Sequence, residues 1–346
     1  MLSILLTPFS VLYGLITRLR NGFYDRGWIK SYSFDSCATI CVGNLSVGGT
    51  GKTPMVEYLI RLLLPHYSLA VLSRGYGRQT KGFRLAGEQD TASTLGDEPF
   101  QFYKKWQGKI SVAVCENRVE GMNRLLNSDR KIDVVLLDDA FQHRRLKPSF
   151  SILLTDYSKP FFVDHLLPKG RLREGRRAST RAQVVVVTKC PATVQEASYR
   201  SAIHNYAAIK PLFFSSIKYG TPVALAEGSQ IGKDVLLVTG IANSKPLVDY
   251  CHTVFTVKGY YHFVDHHHYS PADIISIQER AIACNSKILT TEKDMVKLIS
   301  GELTSVLKKD LWFYQPIETF FLNSGSEFDN AIVHHIENYL HRSTTK

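Results

Sequence analysis

The sequence predicts an α/β fold built on parallel sheets, in two domains, and three observations carry that prediction. Short runs rich in Val, Ile and Leu alternate with helical patterns from residue 38 to residue 188. Nearly continuous apolar strands of this kind belong to sheets covered on both faces. A glycine-rich turn, VGNLSVGGTGKTP at 42–54, links the first run to a helix. A second α/β pattern begins at Val235, after extended segments at 212–217 and 223–225 that break the rhythm. A chain of 346 residues has room for two domains and a sizeable core.

Taken in order, residues 1–17 carry no charged side chain, and Arg18, Arg20, Arg26 and Lys30 follow. A signal peptide needs basic residues before its apolar run and a small-residue cleavage site after it; both are missing. The run is short for a spanning helix and is interrupted by Pro8, Ser10 and Gly14. It reads better as an apolar helix lying in a membrane interface, its arginines on anionic headgroups. The alternative is a helix buried against the core. Ala38–Val42 is a strand, and Met55, Val56, Leu59, Ile60, Leu62 and Leu63 have helical spacing. Leu69–Leu72 is the next strand, running into SRGYGR at 73–78, and residues 79–96 read as loop. Pro99 suits the first turn of a helix. Ile110–Val114 reads as strand, Arg118–Leu126 as helix, and Ile132–Leu137 as a strand ending at Asp138 and Asp139. Ser151–Leu154 and Val184–Thr188 complete the first pattern. The second contains strands at 235–240, 254–257 and 287–290, with helices after Pro271 and from Thr291. Leu311–Tyr314 and Thr319–Leu322 are strand-like, and Phe328, Ile332, Val333, Ile336 and Leu340 mark a final helix.

A hydrophobic content of 44% with 21% charged residues describes a folded protein and excludes a disordered one. The formal charge of +11 points to an anionic partner: nucleic acid, an acidic membrane surface or a phosphorylated substrate. Composition does not choose among them. Six cysteines without a C-x-x-C pair suggest neither a zinc site nor a disulfide framework, and fit a reducing compartment.

The chemistry starts at the glycine-rich turn. Strand, turn, then Gly51-Lys52-Thr53 opening a helix is the arrangement of a phosphate-binding loop. Backbone N–H groups of Ser46, Val47, Gly48, Gly49, Thr50 and Gly51 would face one anion, aided by the helix dipole. Lys52 would add charge at the β- and γ-phosphates of a nucleotide, and Thr53 a hydroxyl for Mg²⁺. Ser46 stands where the usual pattern has its first glycine. Asp138 and Asp139 end an apolar strand, where a carboxylate reaches a metal held beside the phosphates; helix N-capping is the plainer alternative. Asp97 is either the N-cap of the helix at Pro99 or a carboxylate able to take a proton from an attacking hydroxyl. In FVDHHHY, 263–269, three adjacent histidines cannot all face one ion from a regular element. One of them in an acid–base or orienting role is the better expectation than zinc. Basic residues in LLPKGRLREGRR, 166–177, and Arg118, Arg144 and Arg145 mostly read as a solvated face, with a few able to clamp phosphates.

At this point the chain resembles the tetraacyldisaccharide 4′-kinase family, the lipid A 4′-kinases. The resemblance rests on an ordered set: VGNLSVGGTGKTP at 42–54, SRGYGR at 73–78, GDEP at 96–99, ENR at 116–118, DDAFQH at 138–143, LLPKGRLRE at 166–174, FVDHH at 263–267 and TEKDMVK at 291–297. Ala140 replaces a glycine and Gly175 a proline of the family pattern, whereas Ser46 is close to it. The resemblance implies transfer of the ATP γ-phosphate, with Mg²⁺, to the 4′-hydroxyl of a tetraacylated glucosamine disaccharide 1-phosphate. It implies two Rossmann-like α/β/α domains, the larger of P-loop type. Their expected extents are a membrane-associated region over 1–30, a kinase domain over 31–212 with 323–346 packed back on it, linker strands over 213–232 and 311–322, and a smaller domain over 233–310. Carried over by residue, Lys52 and Thr53 serve phosphates and Mg²⁺, and Asp138 and Asp139 the metal. Asp97 is the base, paired with His266 after Asp265; Arg118, Arg173 and Glu174 match further active-site positions. Asp97 and His266 lie so far apart in sequence that domain closure is required to join them. The implied setting is peripheral, at the cytoplasmic face of the bacterial inner membrane, on an anionic lipid surface, with no nucleic-acid or protein partner.

Two rivals are weaker. A GTPase switch would carry Asn and Asp where this chain has Thr188 and Cys190. A nucleic-acid-stimulated ATPase has only the net charge in its favour, without interleaved aromatic and basic patches.

Overall fold

The computed structural model describes residues 5–207 and 210–344; of the N-terminal apolar run, residues 1–4 lie outside the described residues. The larger unit is assembled from α1 (Thr7–Asp25), β1 (Ala38–Asn44), α2 (Lys52–Leu63), β2 (Leu69–Ser73), β3 (Arg84–Leu85), α3 (Ala92–Leu95), α4 (Asp97–Lys105), β4 (Ser111–Val114), α5 (Arg118–Leu126), β5 (Val134–Asp138), β6 (Phe150–Asp156), β7 (Val184–Thr188), α6 (Glu196–Ala207) and β8 (Leu212–Tyr219). After it come β9 (Val223–Ala224), β10 (Asp234–Thr239), α7 (Lys245–Val254), β11 (Thr256–His262), α8 (Pro271–Ala283), β12 (Lys287–Thr291), α9 (Glu292–Leu298) and β13 (Trp312–Gln315). The chain then returns to the larger unit through β14 (Ile317–Phe321) and α10 (Gly325–Thr344).

Among the described residues, β14-β8-β7-β6-β1-β5-β2-β4-β3 form a nine-stranded sheet. Its inner pairs are parallel, and only the edge strands β3 and β14 run antiparallel. Every residue of β1, β2 and β5 is buried, as the apolar runs require of a sheet covered on both faces. One face packs Met55, Leu59 and Ile60 of α2, Phe100 of α4 and Phe328, Ile332 and Ile336 of α10. The other packs Met122 and Leu125 of α5 with Phe141, Phe161 and Ile203. Each such fully buried side chain contributes about 2 kcal/mol of transfer free energy. β1 lies between β5 and β6, so the chain leaves it in both directions across the sheet. That is the switch point at whose carboxyl edge an α/β protein has room for a ligand.

The smaller sheet runs β11-β10-β12-β13-β9, parallel except for β9, with helices on both faces. The two segments expected as linkers are divided between the sheets: β8 and β14 pair at the edge of the large one, β9 and β13 at the edge of the small one. The crossings are stitched together where Gly220 N–H donates to the Pro316 carbonyl at 3.0 Å and Gln315 Nε2 to the Gly220 carbonyl at 2.6 Å.

Two local expectations are corrected: residues 79–96, read as loop, contain the short β3 and α3, and the strand expected from Val254 starts later. Val254 ends helix α7 instead of opening a strand, and the strand runs over Thr256–His262. That edge strand alternates between half-buried and exposed positions, so it lacks a continuous apolar run. Helix α6 buries only Ile203 and Ala207, too little to mark a helical period.

Helix α1 is turned against the usual sense. Its buried residues are Ser10 and Thr17, while Phe9, Leu12, Ile16 and Leu19 are each more than half exposed. Ser10 Oγ donates to the Leu166 carbonyl at 3.1 Å and accepts from Lys169 N–H at 2.9 Å. Tyr13 donates to the Arg173 carbonyl at 2.9 Å. Gly14 permits the approach, since a Cβ there would sit 2.8 Å from Leu166 Cδ1. The helix therefore docks through its polar side, and the reading in which its apolar stripe is buried in the core is not the one found. Among the described residues, no helix is long and apolar enough to cross a membrane.

Candidate active site

The glycine-rich loop leaves β1 and turns into α2. Gly51, at φ +81°, caps that helix without a side-chain bond, so its first N–H groups stay open to an anion. The loop is braced from several sides. Asn44 Nδ2 donates to Thr50 Oγ1 at 2.6 Å, and Thr188 Oγ1 to the Thr50 carbonyl at 2.9 Å. Lys189 donates to the Gly49 carbonyl and pairs with Asp156 at 3.1 Å. Val47 N–H donates to the Arg171 carbonyl at 2.8 Å. Ser46 and Thr50 are buried, while Gly48 and Gly49 have open space around the Cα.

Parallel register sets Val42 beside Asp138, which carries Asp139 to the loop. Close packing here depends on Gly43, whose Cβ would lie 2.6 Å from that of Phe141. Asp139 adopts a left-handed φ of +48°, a strained conformation that aims its carboxylate at Lys52, 3.8 Å away. Arg173 clamps both its oxygens, at 2.8 and 3.2 Å, and also donates to Asn44 Oδ1. Burial tends to raise the Asp139 pKa, but Lys52 and Arg173 outweigh it and hold the carboxyl below its ordinary value. Asp138 behaves oppositely. Burial first, then the neighbouring Asp139 charge, push it up to about 6, and its Oδ2 accepts one bond from Ser73 at 3.0 Å. A buried, under-compensated carboxylate next to a second carboxylate is the kind of oxygen donor that suits a hard divalent cation. Arg118, 2% exposed, faces the same pair; burial lowers its pKa to about 10, with Asp138 opposing the shift. Its Nη1 donates to the Cys115 carbonyl at 2.7 Å, and its buried Nε has no partner among the described residues.

Asp97 opens α4 after Gly96, whose φ of +93° excludes a side chain that would meet the Tyr76 carbonyl at 2.9 Å. Its Oδ2 lies 2.9 Å from His266 Nδ1. The two residues expected to meet on closure are thus in contact, across the two sheets. His266 also takes a left-handed φ, +60°, and its ring lies 5.5 Å from that of Tyr76. The Asp97 hydrogen bond is the main influence raising the His266 pKa above its ordinary value. Burial works to raise the Asp97 pKa, but His266, Lys297 and Lys293 more than offset it and keep the carboxylate ionised. Lys297 sits 3.5 Å from Asp97; Lys293 reaches Glu98 at 3.0 Å, Asp265 at 3.2 Å and His266 Nε2 at 3.2 Å. Two neighbouring histidines have separate tasks: His262, at the end of β11, pairs with Thr239, and His267 stacks on Phe263.

Glu174 is placed differently. It is fully buried, with one oxygen 2.6 Å from Arg20 of α1 and the other 2.5 Å from Arg181. Its neighbour Arg173 is at the donor loop, so Glu174 ties α1 to that loop's far side. The sequence pattern carries no mark of the braces Asn44, Lys189 and Gln142, whose Nε2 donates to the Asn44 carbonyl at 2.8 Å, or of Glu98, Lys293 and Lys297 as partners of the Asp97–His266 pair. Only the TEKDMVK motif contained a signal for the two lysines.

Comparison with known proteins places the chain in a family. The family model for tetraacyldisaccharide-1-P 4′-kinase matches residues 2–337. A tetraacyldisaccharide 4′-kinase of Flavobacterium johnsoniae is 45% identical, covering 97% of this chain and 98% of its own. One of Bacteroides thetaiotaomicron is 42% identical over 96% and 92%. The crystal structure of an LpxK from Aquifex aeolicus in complex with ATP superposes with a TM-score of 0.75 at 28% identity, covering 97% of this chain and all of the other. The chain belongs to the tetraacyldisaccharide-1-P 4′-kinase family.

Proposed function

We propose that this protein transfers the γ-phosphate of ATP to the 4′-hydroxyl of a tetraacylated glucosamine disaccharide 1-phosphate, the phosphorylation step of lipid A assembly that its relatives are named for. The observation that carries the reading is the Asp97–His266 contact, 2.9 Å, made at the same carboxyl edge of the large sheet as the Lys52 loop. A switch protein has no need of an acid–base pair facing its nucleotide from a second domain.

The open N–H groups at the start of α2 bind the phosphates, with Lys52 supplying a mobile charge. Thr53, Asp138 and Asp139 would hold Mg²⁺, which supplies charge neutralisation on the transferred group. Asp138 is the readier of the two carboxylates, because Arg173 already occupies both oxygens of Asp139. Arg118 lies buried behind the pair, with an Nε that needs an acceptor. Asp97, kept ionised, accepts the proton of the attacking hydroxyl; an alcohol is far too weak an acid to lose it beforehand. His266, bonded to Asp97 through Nδ1, fixes the orientation of that carboxylate. The acceptor carries acyl chains, and the outward apolar stripe of α1 supports a peripheral position on the cytoplasmic face of the inner membrane.

The test is incubation with γ-labelled ATP, Mg²⁺ and the tetraacylated disaccharide 1-phosphate, followed by location of the label. Label in the lipid fraction, on the 4′ oxygen, is expected. ATP hydrolysis stimulated by RNA or DNA with no lipid product would overturn the reading.

A further inference from the structure

A cavity of about 930 Å³ lies between α1 and the segment 164–181, on the flank of the helix away from Tyr13 and Arg20. None of the nucleotide-loop residues, Asp97, Asp138, Asp139, Arg173 or His266 lines it. Its helix wall is the stripe Thr7, Val11, Gly14 and Arg18, continued by Leu15 and Asn21. Val11 and Leu15 are both more than half exposed at its rim, next to the outward apolar face. The lining as a whole is cationic. Arg18, Arg144, Lys169, Arg176, Arg177 and Arg181 line the cavity against a single carboxylate, Asp25.

Half of those cations are already engaged. Arg144 holds Asp25 at 2.7 Å, Arg181 holds Glu174, and Arg176 donates to the Asp164 carbonyl at 2.8 Å. The side-chain charges of Arg18, Lys169 and Arg177 have no acidic partner among the described residues. Three uncompensated cations around one concavity repel one another, and an anion entering it removes that cost. The apolar rim excludes a freely diffusing anion as the best fit: the matching molecule has a phosphate at one end and hydrocarbon at the other.

We propose that this cavity binds one anionic phospholipid of the surrounding membrane, its phosphate on Arg18, Lys169 and Arg177 and its acyl chains along Val11 and Leu15. The site shares no lining residue with the Lys52 loop or the Asp97–His266 pair, and it anchors α1 at a defined depth. It rests on the peripheral-membrane reading above, and the experiment separates the two. The full chain is floated with phosphatidylcholine vesicles with and without phosphatidylglycerol, and titrated with dihexanoylphosphatidylglycerol below its micelle threshold. Three proteins are compared: wild type, the triple variant Arg18→Gln, Lys169→Gln, Arg177→Gln, and a charge-matched control, Lys218→Gln, Lys233→Gln, Lys309→Gln, whose sites are exposed and remote.

Wild type and control are expected to saturate with the short-chain lipid, and the triple variant to lose at least about fivefold in affinity while retaining turnover on detergent-dispersed acceptor. Equal losses in triple variant and control would reduce the effect to diffuse charge and overturn the site. Competition by inorganic phosphate at the lipid's own concentration would overturn the lipid assignment. Saturable short-chain binding without vesicle flotation would keep the site and remove the membrane reading; absence of both would remove both.

Discussion

Asp138 and Asp139 are adjacent in the chain and opposite in behaviour, and the difference is environmental. Asp139 is turned by its left-handed backbone onto Lys52 and Arg173, whereas Asp138 stays in the sheet with one hydroxyl partner. Their presence at a strand end was legible in the sequence; their division of labour was not, because it depends on one φ angle. With Asp138 pushed up to about 6, cation binding competes with protonation. Mg²⁺ affinity should be flat above that pH and fall about tenfold per unit below it, measured by Mg²⁺ titration of ATP turnover. Asp138→Asn should remove this pH dependence together with most of the affinity. Glu174 belongs to another class. Its glutamate was legible as part of a motif, but its buried position between Arg20 and Arg181 was not. Glu174→Ala leaves arginines without their partner and should cost about 3 kcal/mol of stability, read as a lowered unfolding midpoint. Its effect on turnover should appear chiefly in KM for the lipid, through displacement of α1.

At the scale of elements, α1 is the helix that sequence patterning described only in part. Its apolar character and its flanking arginines were visible, and so was the choice between membrane and core. The direction of docking was hidden, because it is set by Ser10, Tyr13, Gly14 and Thr17, residues that a search for apolar periodicity ignores. Helix α10, by contrast, was readable from Phe328, Ile332 and Ile336, which do enter the core. Gly14→Leu should push α1 away from Leu166, where a Cβ alone would already be 2.8 Å from a methyl. We expect vesicle binding to fall several-fold in that variant with ATP affinity unchanged, as seen by flotation and nucleotide titration. Helix α6, which the sequence pattern does not mark, and β11, which it places too early, share a cause: each presents a half-wet surface without a sustained apolar period.

For the molecule as a whole, the decisive contact is between domains. Helix α9 of the small unit packs on α4, and Lys105 bridges Glu57 of α2 and Glu292 of α9 at 2.8 and 2.6 Å. Asp97 and His266 close the same interface next to the site. Their pairing was stated from the family resemblance; no spacing rule joins residues 97 and 266. The sign of its pH dependence follows from His266, whose pKa is raised in the folded protein by Asp97. Its contribution to closure is complete below the ordinary histidine value of about 6.5 and is lost as pH rises through the raised one. Interdomain distance, followed by fluorescence transfer between labels on the two units, should therefore lengthen as pH rises above the ordinary histidine value of about 6.5. His266→Gln should abolish that transition. The most direct test of the account compares wild type with Asp97→Asn in single-turnover transfer of labelled phosphate from ATP to the 4′-hydroxyl of the acceptor. If Asp97 is the base, the rate falls by at least about 10²-fold with ATP affinity unchanged; transfer at the wild-type rate would contradict that role.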